Sequence, residues 1–91
     1  MVSPITYKND RLLYEIELRT SRVDSVFLYY ILEGWDHLCF YSTLDFEKCQ
    51  RYRDIRIYCT IEMKPLLQKI LLGLDQKISM ERLSERVFSD Q

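Results

Sequence analysis

Glycine and proline are scarce in this chain, two of each in 91 residues, which excludes collagen-like, low-complexity and disordered readings. The three cysteines, at 39, 49 and 59, are odd in number and form no Cys-x-x-Cys pair. Neither a secreted disulfide framework nor a structural zinc site fits that pattern. The longest apolar runs, Val26 to Leu32 and Ile70-Leu71-Leu72, fall far below the roughly 18 residues that a membrane span needs. Met1 to Asp10 lacks the shape of a signal peptide. A cytoplasmic chain with reduced thiols and no membrane partner is the expectation. Charge of one sign is missing too: 13 Lys and Arg against 14 Asp and Glu leave a formal net charge of −1. No strong global field draws the chain to nucleic acid, so charge-driven binding has to be local.

What is present is a folding composition, 47% hydrophobic and 30% charged, with 13% aromatic residues. At this length residues 1–91 make a single domain, and small domains bury a smaller share of their surface. A shared interface would help such a core.

Leu12 to Arg19 alternates, with Tyr14, Ile16 and Leu18 pointing one way and Leu13, Glu15, Glu17 and Arg19 the other, the period of a half-buried strand. Before it, Ile5-Thr6-Tyr7 favours a strand and Lys8-Asn9-Asp10 a turn, so residues 1–10 read as an N-terminal hairpin arm. Thr20 or Ser21 can cap a helix whose Val23, Val26, Phe27, Tyr30, Ile31 and Gly34 share one face. Gly34 is expected to end it in the left-handed conformation. Leu38 to Leu44 alternates again, placing Leu38, Phe40, Ser42 and Leu44 inward and Cys39, Tyr41 and Thr43 outward. Asp45 to Asp54 carries six charged residues and reads as a solvated loop.

Ile55 to Ile61 is the clearest strand, with Ile55, Ile57, Cys59 and Ile61 inward and Arg56, Tyr58 and Thr60 outward. Pro65 suits the first turn of a second helix, with Met63, Leu66, Leu67, Ile70, Leu71 and Leu74 on its buried face. Ser79 can cap a short C-terminal amphipathic helix over Met80 to Phe88, within a tail of residues 79–91 that docks on a neighbour. The order (β)βαββα(α) predicts an α+β fold: a ferredoxin-like βαββα sandwich, its antiparallel sheet covered by helices on one face and lacking its last strand. That absence exposes the edge of the first strand to the N-terminal arm or to a second copy.

The stretch ILEGWDHLCF, residues 31–40, gathers the only Trp, the only His, one Gly and one Cys. Gly34 and Asp36 suit a structural turn there. Helix, then Ile31-Leu32-Glu33-Gly34-Trp35-Asp36, then a strand ending in Thr43 and Asp45 resembles a family of small uncharacterised bacterial proteins with an ILEG-aromatic-Asp motif. The resemblance covers roughly residues 12 to 75 and implies a fold more than an activity. More distantly, the βαββα order is similar to ACT-type regulatory domains, which pair through their sheets and bind small ligands. Thr20-Ser21-Arg22 stands where such domains carry a Gly-rich loop.

Asp36, His37 and Cys39 hold the residue types of a thiol nucleophile or a metal site, but three residues within four positions do not make that geometry. An exposed turn histidine and a partly covered thiol are the simpler expectation, with no metal and no cofactor. The outward sheet face, with Leu13, Cys39, Tyr41, Arg56 and Tyr58, combines aromatic and basic side chains as single-stranded RNA-binding sheets do. Glu15 and Glu17 oppose phosphate on that face. Arg51, Arg53 and Arg56, interleaved with Tyr52 and Tyr58, form the local basic cluster. The sequence therefore favours a non-enzymatic interaction or regulatory module, self-associating as a homodimer or binding another protein through the open sheet face or first-strand edge. Its candidate contact residues are Leu13, Trp35, His37, Cys39, Tyr41, Arg56 and Tyr58.

Overall fold

The computed structural model describes residues 12–35 and 37–89. The expected N-terminal arm and the turn residue Asp36 lie outside them. The elements run β1 (Leu12–Ser21), α1 (Arg22–Gly34), β2 (Phe40–Thr43), β3 (Tyr52–Thr60), a 3-10 turn (Ile61–Met63), α2 (Lys64–Leu74) and β4 (Met80–Ser89). The four strands make one sheet in the order β2-β3-β1-β4, each neighbouring pair antiparallel.

β1 forms as its alternation predicts. Tyr14, Ile16 and Leu18 are buried against the helices, and register places them opposite Cys59, Ile57 and Ile55 of β3. These six side chains and the buried sides of the helices, Leu28 and Leu32 from α1 with Leu67, Leu71 and Leu74 from α2, build the core. β3 starts three residues earlier than its apolar run suggests, at Tyr52, because pairing with Ser21 and Thr20 extends the ladder into the polar segment.

Met63 and Leu66, expected on the buried face of α2, are exposed, and three larger expectations fail. The tail from Met80 to Phe88 is not a helix but β4, so the sheet does have its last strand, and β4 rather than an arm or a second copy covers the edge of β1. The register shifts between Glu17 and Leu18, where Leu83 is the extra residue of a β-bulge. A bulge breaks the period of two, which leaves Met80, Leu83 and Val87 at helix-like spacing.

The faces of β2 are also reversed. Tyr41 and Thr43 pair with the inward Ile57 and Ile55, while Phe40 and Ser42 pair with the outward Tyr58 and Arg56. Leu38 is buried, but in the turn before the strand rather than on it. Counting strand phase from Leu38 therefore slips it by one residue, which moves each side chain to the opposite face.

The third failure is the phase of α1. Ser21 caps this helix, its Oγ accepting from the Asp24 amide at 3.0 Å. Its buried residues are Ser25, Leu28 and Leu32, whereas Val23, Val26, Phe27 and Tyr30 face solvent. Gly34 remains within the helix and its φ is not positive. Trp35 forms the cap, its amide donating to the Leu32 carbonyl at 3.0 Å. No helix among the described residues is long and apolar enough to cross a membrane.

Candidate interaction surfaces

The outward face of α1 follows from a helix that is apolar nearly all round. Val26-Phe27-Leu28-Tyr29-Tyr30-Ile31-Leu32 leaves no polar side to turn to water, and such helices are normally covered on both sides. Leu28 and Leu32 take the sheet side with Tyr29 and Ile31 beside them. The remaining stripe stands in solvent: Val23 is 75% exposed, Val26 67% and Tyr30 75%, with Phe27 less so. Together with Arg22 these four line one shallow groove. It continues past Arg22 and Val23 into a second groove bordered by Ser21, Lys48, Cys49 and Arg51. The Arg22 amide donates to the Arg51 carbonyl at 2.8 Å, which ties that basic loop to the start of α1. At the other end of the helix the exposed Glu33 carboxylate accepts from the Tyr41 hydroxyl.

The outward sheet face is differently built. Its cations are already matched to carboxylates across the strands. Arg19 grips Asp54 with two hydrogen bonds of 2.8 and 3.0 Å. Arg56 donates to Glu17 at 3.1 and 2.8 Å and stands 3.7 Å from Glu15. Arg86 reaches Glu15 from β4 at 3.2 and 3.3 Å. Hydrogen bonding to Asp54 and to Glu17 raises the pKa of Arg19 and Arg56 respectively. Aromatic groups lie at the ends of this ladder. Phe40, largely exposed, meets Tyr58 with ring centroids 6.5 Å apart, and Arg86 lies over Phe88.

The expected contact residues therefore divide. Leu13, Arg56 and Tyr58 do share the outward sheet face, where Leu13 stands opposite Thr60 and Phe88. Cys39 and Tyr41 do not. Cys39 is buried on the helix side, and burial pushes its thiol pKa up. That opposes the thiolate which nucleophilic or metal chemistry requires. Tyr41 stacks on Tyr29 at 5.5 Å, and its bond to Glu33 pushes its hydroxyl up to about 12. Trp35 and His37 are exposed in the turn after α1. The basic cluster splits as well: Arg53 stacks on Phe46 at 3.6 Å and donates to the Gln50 and Tyr52 carbonyls, while Arg56 pairs with Glu17. No group of three metal-ligating side chains occurs among the described residues.

The α1 stripe escapes notice as a surface in the sequence because its helical spacing assigns the same residues to the core. The signal that could have found it was the apolar content of the opposite face, Leu28 and Leu32, which already sufficed to cover the sheet. No curated protein and no solved structure matches the chain. A family described as Domain of unknown function (DUF4911) matches residues 18–78, the span from the middle of β1 to the end of the loop after α2, and the chain belongs to that family.

Proposed function

We propose that the domain is a non-catalytic protein-interaction module, and that its docking surface is the outward face of α1. The observation that carries this reading is the exposed stripe of Val23, Val26, Phe27 and Tyr30, since a contiguous exposed apolar patch usually marks a binding surface. The occupant we propose is an amphipathic helix of another protein. Positions 23, 26, 27 and 30 have the i, i+3, i+4, i+7 spacing along which helices pack. The ends of the stripe differ in charge, with Arg22, Lys48 and Arg51 around one and Glu33 at the other. A partner helix with acidic residues at the first end and a basic residue at the second matches them. This face supplants the sheet surfaces suggested by sequence, because the sheet cations are held by Glu15, Glu17 and Asp54 and the edge of β1 is paired with β4. The same pairing weighs against single-stranded RNA on the sheet. The strand order supports the ferredoxin-like assignment, now with its final strand.

A fluorescein-labelled synthetic helix with Leu at i, i+3, i+4 and i+7, Glu at one end and Lys at the other, titrated by anisotropy, tests the reading. Wild type is expected to bind it and Val26→Glu to bind at least about tenfold more weakly. Equal binding by both proteins, or none by wild type, would overturn it. So would a Val26→Glu variant that converts a dimer to a monomer, since the occupant would then be a second copy.

A further inference from the structure

Among the described residues β4, ten residues long, is an outer strand of the sheet and pairs with β1 alone. Such a strand presents a row of backbone N–H and C=O groups about 33 Å long at roughly 3.3 Å per residue. Glu81, Arg82 and the run from Ser84 to Val87 are all exposed. Its charges are two of each sign, Glu81 and Glu85 against Arg82 and Arg86, so two copies approaching along this edge meet no net repulsion.

The order of those charges goes further. When Met80 to Val87 is laid antiparallel on itself about a two-fold axis between Leu83 and Ser84, Glu81 faces Arg86, Arg82 faces Glu85 and Met80 faces Val87. Each charged pair is of opposite sign and Met80 meets Val87, while Leu83 stands opposite Ser84. Shifting the register by two residues either way destroys this, setting Glu81 against Phe88 or against Ser84.

The side chains must also lie on matching faces of the joined sheet, and here the bulge matters. In an unbroken strand, residues 81 and 86, five apart, point to opposite faces. The bulge at Leu83 restores the match. Register with β1 sets Glu81 opposite Arg19 and Arg86 opposite Glu15, both on the outward face, where Arg86 keeps its bonds to Glu15 and would be shared between that carboxylate and Glu81 of the second copy. It sets Arg82 opposite Leu18 and Glu85 opposite Ile16, both on the helix side. A two-fold axis perpendicular to the sheet keeps each pair on its own face.

We propose that two copies of this chain join edge to edge through β4 in that register, forming one continuous antiparallel sheet across the two-fold axis. The proposal goes beyond the α1 reading and does not depend on it. Opposite charges at directly paired positions favour the register, and backbone hydrogen bonding along the edge supplies the attraction.

Size-exclusion chromatography with light scattering on the full chain is the test, with far-UV circular dichroism as the control for folding. Wild type is expected to give twice the chain mass of 11.1 kDa. Arg82→Glu sets two carboxylates opposite each other and is expected to weaken the dimer at least about tenfold. Adding Glu85→Arg to it reverses both charges and keeps their pairing within the chain, although it removes the carboxylate that accepts from the Tyr14 hydroxyl, and with the fold confirmed by circular dichroism it is expected to restore the dimer. Val26→Glu, on the α1 face, is expected to stay dimeric. Should Arg82→Glu fail to fold, amide exchange of wild type decides the matter. β4 amides slowed at high concentration and released on dilution support the interface. A wild-type monomer at every concentration, a dimer indifferent to Arg82→Glu, or no rescue by the second substitution overturns it.

Discussion

Val26 and Leu28 stand two residues apart on α1, yet Val26 keeps 67% of its surface in solvent and Leu28 keeps none. The helix thus turns one apolar stripe into the core and an equally apolar one outward. Urea unfolding of single variants reads this directly. Leu28→Ala is expected to cost about 2–5 kcal/mol, the range for emptying a buried leucine site. Val26→Ala is expected to stay within about 0.5 kcal/mol, as exposed substitutions do. The reverse order would place the core on the other stripe.

Gly34→Ala is expected to stabilise the fold by roughly 0.5–1 kcal/mol, because alanine suits a helical position better than glycine. Gly34 is helical without a positive φ, and an added Cβ meets no atom within 4 Å. A loss of melting temperature in this variant would instead indicate the left-handed helix end that the sequence suggests.

The cysteines should separate by reactivity. Cys49 is exposed while Cys39 and Cys59 are buried, so iodoacetamide at neutral pH is expected to modify Cys49 first, as mass spectrometry of the digested protein would read. Fast modification of Cys39 would contradict its burial.

Burial, with Cys39 nearby as a lesser cause, pushes Cys59 from the ordinary 9.0 up to about 11. A raised thiol pKa in the folded chain means that the unfolded chain loses its proton first. The linked stability is intact below pH 9 and is lost as pH rises through about 11. Unfolding midpoints at pH 8, 10 and 11 should fall in that order for wild type and fall less steeply for Cys59→Ala. Parallel profiles for the two proteins would remove Cys59 as a source.

Legibility in the sequence followed the regularity of each segment. β1 and β3 alternate cleanly, and Tyr14, Ile16, Ile55 and Ile57 lie where that alternation puts them. α2 keeps its buried Leu67, Leu71 and Leu74, although Met63 and Leu66 are exposed. β4 was hidden by the bulge at Leu83, and β2 by Leu38, whose burial belongs to the turn. α1 offered two apolar stripes, and the presence of Leu28 and Leu32 on one of them was the single hint that it, and not the other, meets the sheet. The expected contact residues divided for the same reasons: once β2 is turned over, Cys39 and Tyr41 leave the sheet face that Leu13, Arg56 and Tyr58 keep.

The outward α1 stripe is most directly tested by amide chemical-shift mapping of the isotope-labelled protein during titration with the synthetic amphipathic helix. Shifts are expected to concentrate at Val23, Val26, Phe27 and Tyr30, with smaller ones at Arg22, Arg51 and Glu33. Shifts gathered on the sheet face, at Phe40, Tyr58 and Arg56, or the absence of any shift at saturating peptide, would contradict that docking surface.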